Sequence, residues 1–221
     1  MFSVICSVKS PLKFKTILLP SLNRVRKHLI DSNLPELQII TVGGSEALTI
    51  NYNEGMARSK YKTKFFIHED VDIMDTDITP LFIKIDRLLH DEYSKTMLVG
   101  LAGTTGATNS FWWDAPKETL VGQVYAGGTI NEHWIWNTTN EIYSDITYID
   151  GMFMATSLNI NFSEDIKGFH LYDNDYCNLV KYKGYKIQVI NHLVRHDAVV
   201  KDLDLEKIDF NHYRDKWGMN D

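Results

Sequence analysis

Two cysteines, Cys6 and Cys177, are all that this chain of 221 residues contains. That is too few for a disulfide framework or a four-thiolate zinc centre, and it suits a reducing, cytoplasmic setting. Basic residues are also short: 23 lysines and arginines stand against 29 acids, for a formal charge of -6. Without a broad basic surplus, nucleic acid is not an expected partner. No apolar run approaches the ~20 residues of a membrane-spanning helix, so any membrane association is expected to be peripheral. The first residues read as a strand, without the pattern of a signal peptide. Internal repeats and low-complexity linkers are missing too, and the length fits one domain.

Several ligand motifs are absent as well. Counted from Asp70, the fifth and sixth positions of a calcium loop are Met74 and Asp75, where a ligand and a glycine are needed; counted from Asp173 they are Cys177 and Asn178. "GLAGTTGATNS" has neither the lysine of a phosphate loop nor the glycine spacing of a dinucleotide fingerprint.

What is present alternates. "FSVICSV" (2–8) reads as a strand, "LKFKTILLPSLNRVRKHLI" (12–30) has helical spacing despite Pro20, and "LQIITV" (37–42) is a second strand. Residues 46–60 repeat Leu48, Tyr52 and Met56 every four positions, as a helix does, and "KFFIH" (64–68) is a third strand. A helix over 78–93 and a strand over 96–103 follow. This alternation predicts an α/β domain with a mostly parallel sheet and helices on both faces. From Gly103 to about Asp150 the texture turns rich in Gly, Thr, Asn and Trp and reads as a long functional excursion. Strand character returns at 146–156, a helix is expected over 175–185, a strand over 186–197, and the last twenty residues read as a charged helical tail.

Two acidic clusters stand out, "KFFIHEDVDIMD" (64–75) and "FHLYDNDYC" (169–177). The first follows a strand, and in open α/β sheets ligands gather beyond the carboxyl ends of strands. His68, Glu69, Asp70 and Asp72 combine imidazole with carboxylates, which suits a hard divalent cation that must also hold phosphate oxygens; a solvated acidic loop is the alternative. His192 and His196 share one face of the expected strand about 13 Å apart, too far to chelate one zinc ion, and His196 at the strand end is the one expected to face a site. Trp112, Trp113, Trp134 and Trp136 lie in loop-like sequence, where some could offer stacking faces to sugar rings instead of filling core.

In order and spacing these segments resemble the family-2-type glycosyltransferases of the GT-A fold, and more closely a branch of short glycosyltransferase-like proteins. The resemblance rests on "FSVICSV", "SEALTINYNEGMARSKYKTKFFIHEDV", the "G…WW" stretch of 103–113, "IDGMFMATS", "FHLYDNDYCNLVKYKGYKI" and His196. It implies a single GT-A-like (Rossmann-like) domain, with residues 1–100 as the nucleotide-sugar half, 101–200 as the acceptor and catalytic half, and 201–221 as the tail. It implies transfer of a sugar from a nucleotide-sugar donor to a carbohydrate or other hydroxyl-bearing acceptor, inverting and assisted by Mn²⁺ or Mg²⁺, as in polysaccharide biosynthesis. Asp70 falls on the second acid of the family's Asp-x-Asp strand end, with His68 in place of the first. The resemblance thus implies a cation held by His68, Asp70, Asp72 and His196, a donor bordered by Asn53, Gly55 and Asp70, and an acceptor side formed by Trp112, Trp113, Asp150 and Gly151. Asp173 takes the place of the general base, Tyr172 replaces the family's glutamate, and "VGGS" replaces its acidic "DDGS". Two other functions stay open on sequence alone. One is a non-catalytic nucleotide-sugar or glycan-binding module on the same fold. The other is a metal phosphohydrolase using His68, Asp70, His196 and Asp197, although such hydrolases are helical and these histidines end strands.

Overall fold

A computed structural model describes residues 1–34, 36–74, 79–127, 132–197 and 208–219. The beginning of the expected C-terminal tail and of the 78–93 helix therefore lies outside the described residues.

Thirteen strands are found among the described residues, alternating with helices only in the first half of the chain. The larger sheet joins β1 (Phe2–Ser7), β2 (Leu37–Val42), β3 (Thr63–Ile67), β5 (Thr96–Gly100), β9 (Ile142–Tyr143), β11 (Phe153–Thr156) and β12 (Lys186–Ile190), in the spatial order β2-β1-β3-β11-β5-β12-β9. Its pairings divide evenly: β1–β2, β1–β3 and β5–β12 are parallel, whereas β3–β11, β11–β5 and β12–β9 are antiparallel. The sheet is therefore mixed, because β11 enters between β3 and β5 in the opposite direction. That reversal matters for the site, since the residues just before β11 arrive at the edge where β3 ends.

Phe65 and Phe66 explain why helices cover both faces. Adjacent strand residues point to opposite sides, and Phe65 packs on Phe82 of α4 (Thr79–Leu89) while Phe66 packs on Tyr52 of α3 (Leu48–Ala57). Gly55 of α3 lets that helix approach β1, since a Cβ there would stand 2.2 Å from Ile5 Cγ2. The 12–30 helix forms as α1 (Pro11–Lys13), a π-helical turn over Phe14–Leu18, and α2 (Leu19–Asp31). The wider turn immediately precedes Pro20, whose ring and missing N–H disrupt regular α-helical bonding. α5 (Tyr172–Tyr182) begins three residues ahead of the expected start, and α6 (Phe210–Trp217) closes the described chain. One apolar cluster runs from Phe2 to Tyr213 through these layers.

The 103–150 excursion supplies most of a second sheet, which strands from outside it complete. β6 (Ala102–Thr104), β7 (Leu120–Ala126), β8 (Glu132–Ile135), β10 (Tyr148–Ile149), β13 (Val194–His196) and β4 (Val71–Asp72) run in the order β10-β6-β7-β13-β4, with β8 on β7. The expected 186–197 strand is broken between Ile190 and Val194, so β12 serves the first sheet and β13 the second. His192 therefore does not share one continuous strand with His196. Among the described residues no helix is long and apolar enough to cross a membrane.

Candidate functional site

The end of β3 turns sharply. Val71 N–H donates to His68 O at 3.2 Å, placing Glu69 and Asp70 at the corner. β4 then pairs with β13, matching Val71 to His196, and Asp197 N–H donates to Asp70 O. Backbone pairing alone thus brings Asp70 beside His196, 126 positions later in the chain. Glu69 fixes the turn from the other side, accepting from the amides of Lys9 and Ser10 ahead of α1.

Around that turn, one ligand atom each from His68, Asp70 and His196 lie within 4.8 Å of one another, close enough for a single ion. His196 Nε2 is 3.3 Å from Asp70 Oδ1, and Lys13 Nζ donates to Asp70 Oδ2 at 3.0 Å. Burial opposes ionisation of Asp70, but His196, His68 and Lys13 outweigh it and hold the carboxyl well below the usual range. Burial and the neighbouring His196 lower His68 to about 4, so its imidazole is neutral and keeps a lone pair. His196 is also opposed by burial, yet Asp70 pulls it upward. Two imidazoles and one ionised carboxylate form a donor set that fits a divalent transition ion such as Mn²⁺ better than Mg²⁺, which prefers oxygen alone.

The second cluster adjoins the first through Tyr172, whose hydroxyl lies 2.7 Å from His68 Nε2. Tyr172 opens α5 directly after Leu171, a bulky residue held at φ 61° in the left-handed region, where side chains are strained and functional sites are over-represented. Asp173 follows, 9% exposed, accepting from Gly151 N–H at 3.0 Å and Asn174 N–H at 2.9 Å. Gly151 has to be glycine, because a Cβ would stand 1.9 Å from the Tyr172 oxygen. Burial and then the charge of Asp150 raise the Asp173 carboxyl to about 7, against the pull of those amides. Asp150 itself accepts from Met152 N–H and is pushed up by burial, with His196 drawing it down.

Other expected site residues stand elsewhere. Asp72 accepts from Ser21 Oγ and lies 3.9 Å from Arg24 Nη2, outside the His68–Asp70–His196 group; on β4 it is turned toward α2. Asn53 commits its amide to Phe162 and Glu164, and Gly55 is a packing glycine against β1, so the donor-bordering role expected of them meets side chains already engaged in tying α3 down. Trp112 is 2% exposed and packs edge-on against Trp113 and Trp136, which leaves no face for a sugar; Trp113 is 41% exposed and stacks on Phe111 at 4.5 Å. Two contributors escaped the sequence reading, Lys13 and the Tyr172 hydroxyl. Tyr172 had a local signal in its adjacency to Asp173, whereas Lys13 is separated from Asp70 by 57 positions and had none.

This geometry can now be set beside known proteins. Residues 24–217 match the glycosyltransferase like family, and the chain belongs to that family. It is thus a glycosyltransferase by class, on a mixed α/β fold. No curated protein matches it. Among solved structures, A197 from STIV is 11% identical with a TM-score of 0.46, over 86% of this chain and 81% of that one. S. aureus TarS 1-349 is 14% identical with a TM-score of 0.46, over 90% of this chain, which spans 58% of the TarS chain.

Proposed function

We propose that this protein transfers a sugar from a nucleotide-sugar donor to an acceptor hydroxyl with inversion, using His68, Asp70 and His196 to hold a divalent cation and Asp173 as the base. The observation that carries the reading is the juncture at Tyr172. It joins a cation-competent cluster to a buried carboxyl that gains and loses a proton near neutrality. A divalent cation at the first cluster would neutralise the diphosphate leaving group. His68, with Nε2 engaged by Tyr172, has Nδ1 left for that ion, and its neutrality makes it a ligand without a proton to shed. Lys13 adds a second positive charge beside Asp70, where it can follow the diphosphate. Asp173 takes the acceptor proton, its pKa of about 7 matching a base that must both accept and release protons near neutral pH. Trp113, stacked on Phe111 and partly exposed, offers a ring face on the acceptor side. On this reading residues 1–100 form the nucleotide-sugar half and 101–200 the acceptor and catalytic half, which also lends His196 to the cation.

The test is a screen of sugar nucleotides for turnover and for thermal stabilisation, with and without Mn²⁺. Turnover that needs the cation supports the proposal. Binding without turnover identifies a non-catalytic module instead, and phosphate release from simple esters identifies a hydrolase.

A further inference from the structure

Lys64 is out of place. It occupies a central strand, followed by Phe65, Phe66 and Ile67, and is only 2% exposed. An apolar residue is the ordinary occupant of such a position, and burying a cation without an anionic partner is costly. The Lys64 ammonium donates to the carbonyls of Lys62 at 3.0 Å and Leu158 at 3.3 Å, which uses two of its three protons. Desolvation, and then the neighbouring charge of Lys62, depress its pKa.

The group borders a cleft of about 460 Å³, a volume usual for small-molecule sites, between the end of α3 and the loop that follows β11. Lys60, Tyr61, Lys62, Lys64, Asn159 and Asn161 contribute to its wall, and no acid does. Three cations without a lining carboxylate are unexpected in a chain of net charge -6. Glu164 touches the wall through Asn53, yet among the described residues it forms no ion pair with these lysines. Lys64 and His68 lie four positions apart along the same strand direction, about 13 Å at strand rise, so the cleft is separate from the His68–Asp70–His196 site.

We propose that this cleft binds an acidic sugar through its carboxylate or phosphate group. Lys60, Lys62 and Lys64 meet the anion, while the Asn159 and Asn161 amides and the Tyr61 ring suit the hydroxyls and face of the sugar. The anionic site stands on the lysines alone; the choice of a sugar rests on the transferase reading above.

Backbone amide spectra of the full chain, recorded without donor or metal, test it by titration with tetragalacturonate, glucose 6-phosphate, neutral maltotetraose and inorganic phosphate. Saturable shifts at Lys62, Lys64, Asn159 and Asn161 are expected with at least one of the two acidic sugars and not with maltotetraose. The Lys60→Gln/Lys62→Gln variant, altered only at exposed side chains, should weaken that binding by about tenfold or more. Lys64→Met serves as a second variant at the buried position. Inorganic phosphate binding without either acidic sugar would mark a free-anion site and overturn the proposal, as would unshifted amides or unchanged affinity in the double variant. Since donor and metal are omitted, a failure of the transferase reading leaves this result separately readable.

Discussion

The turn that ends β3 and the turn that begins α5 are both crowded with acids, and they hold their carboxyls in opposite states. Asp70 sits between His196 and Lys13, so it stays ionised at any ordinary pH. Asp173 has Asp150 for an electrostatic neighbour and backbone amides for partners, so it keeps its proton until about pH 7. Burial penalises charge at both sites, and the sign of the neighbouring charges decides which way each carboxyl goes. A permanent anion suits a cation ligand; a carboxyl that titrates near neutrality suits proton transfer. Acid content alone would have assigned the two clusters the same role.

The sharpest way to break that contrast is Asp173→Asn. The amide keeps the shape but cannot take up the acceptor proton, so transfer should fall by about 10²-fold or more with donor affinity retained. Wild-type turnover should rise with pH through about 7, and the residual activity of the variant should lack that limb. Stability supplies a second readout. Asp173 binds its proton more tightly folded than unfolded, so its stabilising contribution is full in acid and is lost as pH rises through about 7. The melting temperature of the variant relative to wild type should therefore climb between about pH 4 and about pH 7 and level off above that. A pH-independent difference would show that Asp173 is ionised throughout, and the contrast with Asp70 would collapse.

Asp70→Asn tests the other half with a smaller expected effect. It removes the charged oxygen that His196 and Lys13 both address, so Mn²⁺ affinity by calorimetry should drop by about tenfold or more. Asp72→Asn should leave that affinity unchanged, because Asp72 is occupied by Ser21 and Arg24. Equal losses in the two variants would mean that the acids act as a diffuse field.

Much of the first half was legible in the sequence because its signals are local. β1, β2 and β3 appear within a residue or two of their apolar runs, and α3 follows the Leu48–Tyr52–Met56 spacing. Helices on both faces followed from the alternation and are seen at Phe65 and Phe66. The second sheet was harder to read. "LVGQVYA" carried the β-branched and aromatic content of a strand, but the glycine- and tryptophan-rich sequence on either side of it masked β7. The antiparallel insertion of β11 had no local mark, since strand order is set by packing between distant segments. At the candidate site, strand ends and motif order pointed to His68, Asp70, Asp173 and His196, and the fold brings His68, Asp70 and His196 together. Lys13 and the burial of Trp112 were not, because each depends on contacts that only the folded chain makes.

The smallest expected effect concerns Asp175, which shares the acidic cluster with Asp173 and has a different task. It is 1% exposed, accepts from Trp217 Nε1 at 2.9 Å, and lies 3.0 Å from Lys216 Nζ, so it fastens α6 onto the first turn of α5. Asp175→Asn keeps an oxygen for Trp217 but removes the charge that Lys216 meets. Hydrogen bonds to charged groups contribute about 1.5–3 kcal/mol, and Lys216 retains Asp165 as a second partner, which places the expected loss near the lower end, about 1.5 kcal/mol. Denaturant unfolding would measure it, with an unchanged slope marking a change in stability alone. Turnover per folded molecule should stay within about twofold of wild type, since Asp175 is engaged by Trp217 and Lys216 and acts by holding α6 in place. A large fall in turnover without loss of stability would move the base from Asp173 to Asp175, and with it the division of labour within the second cluster.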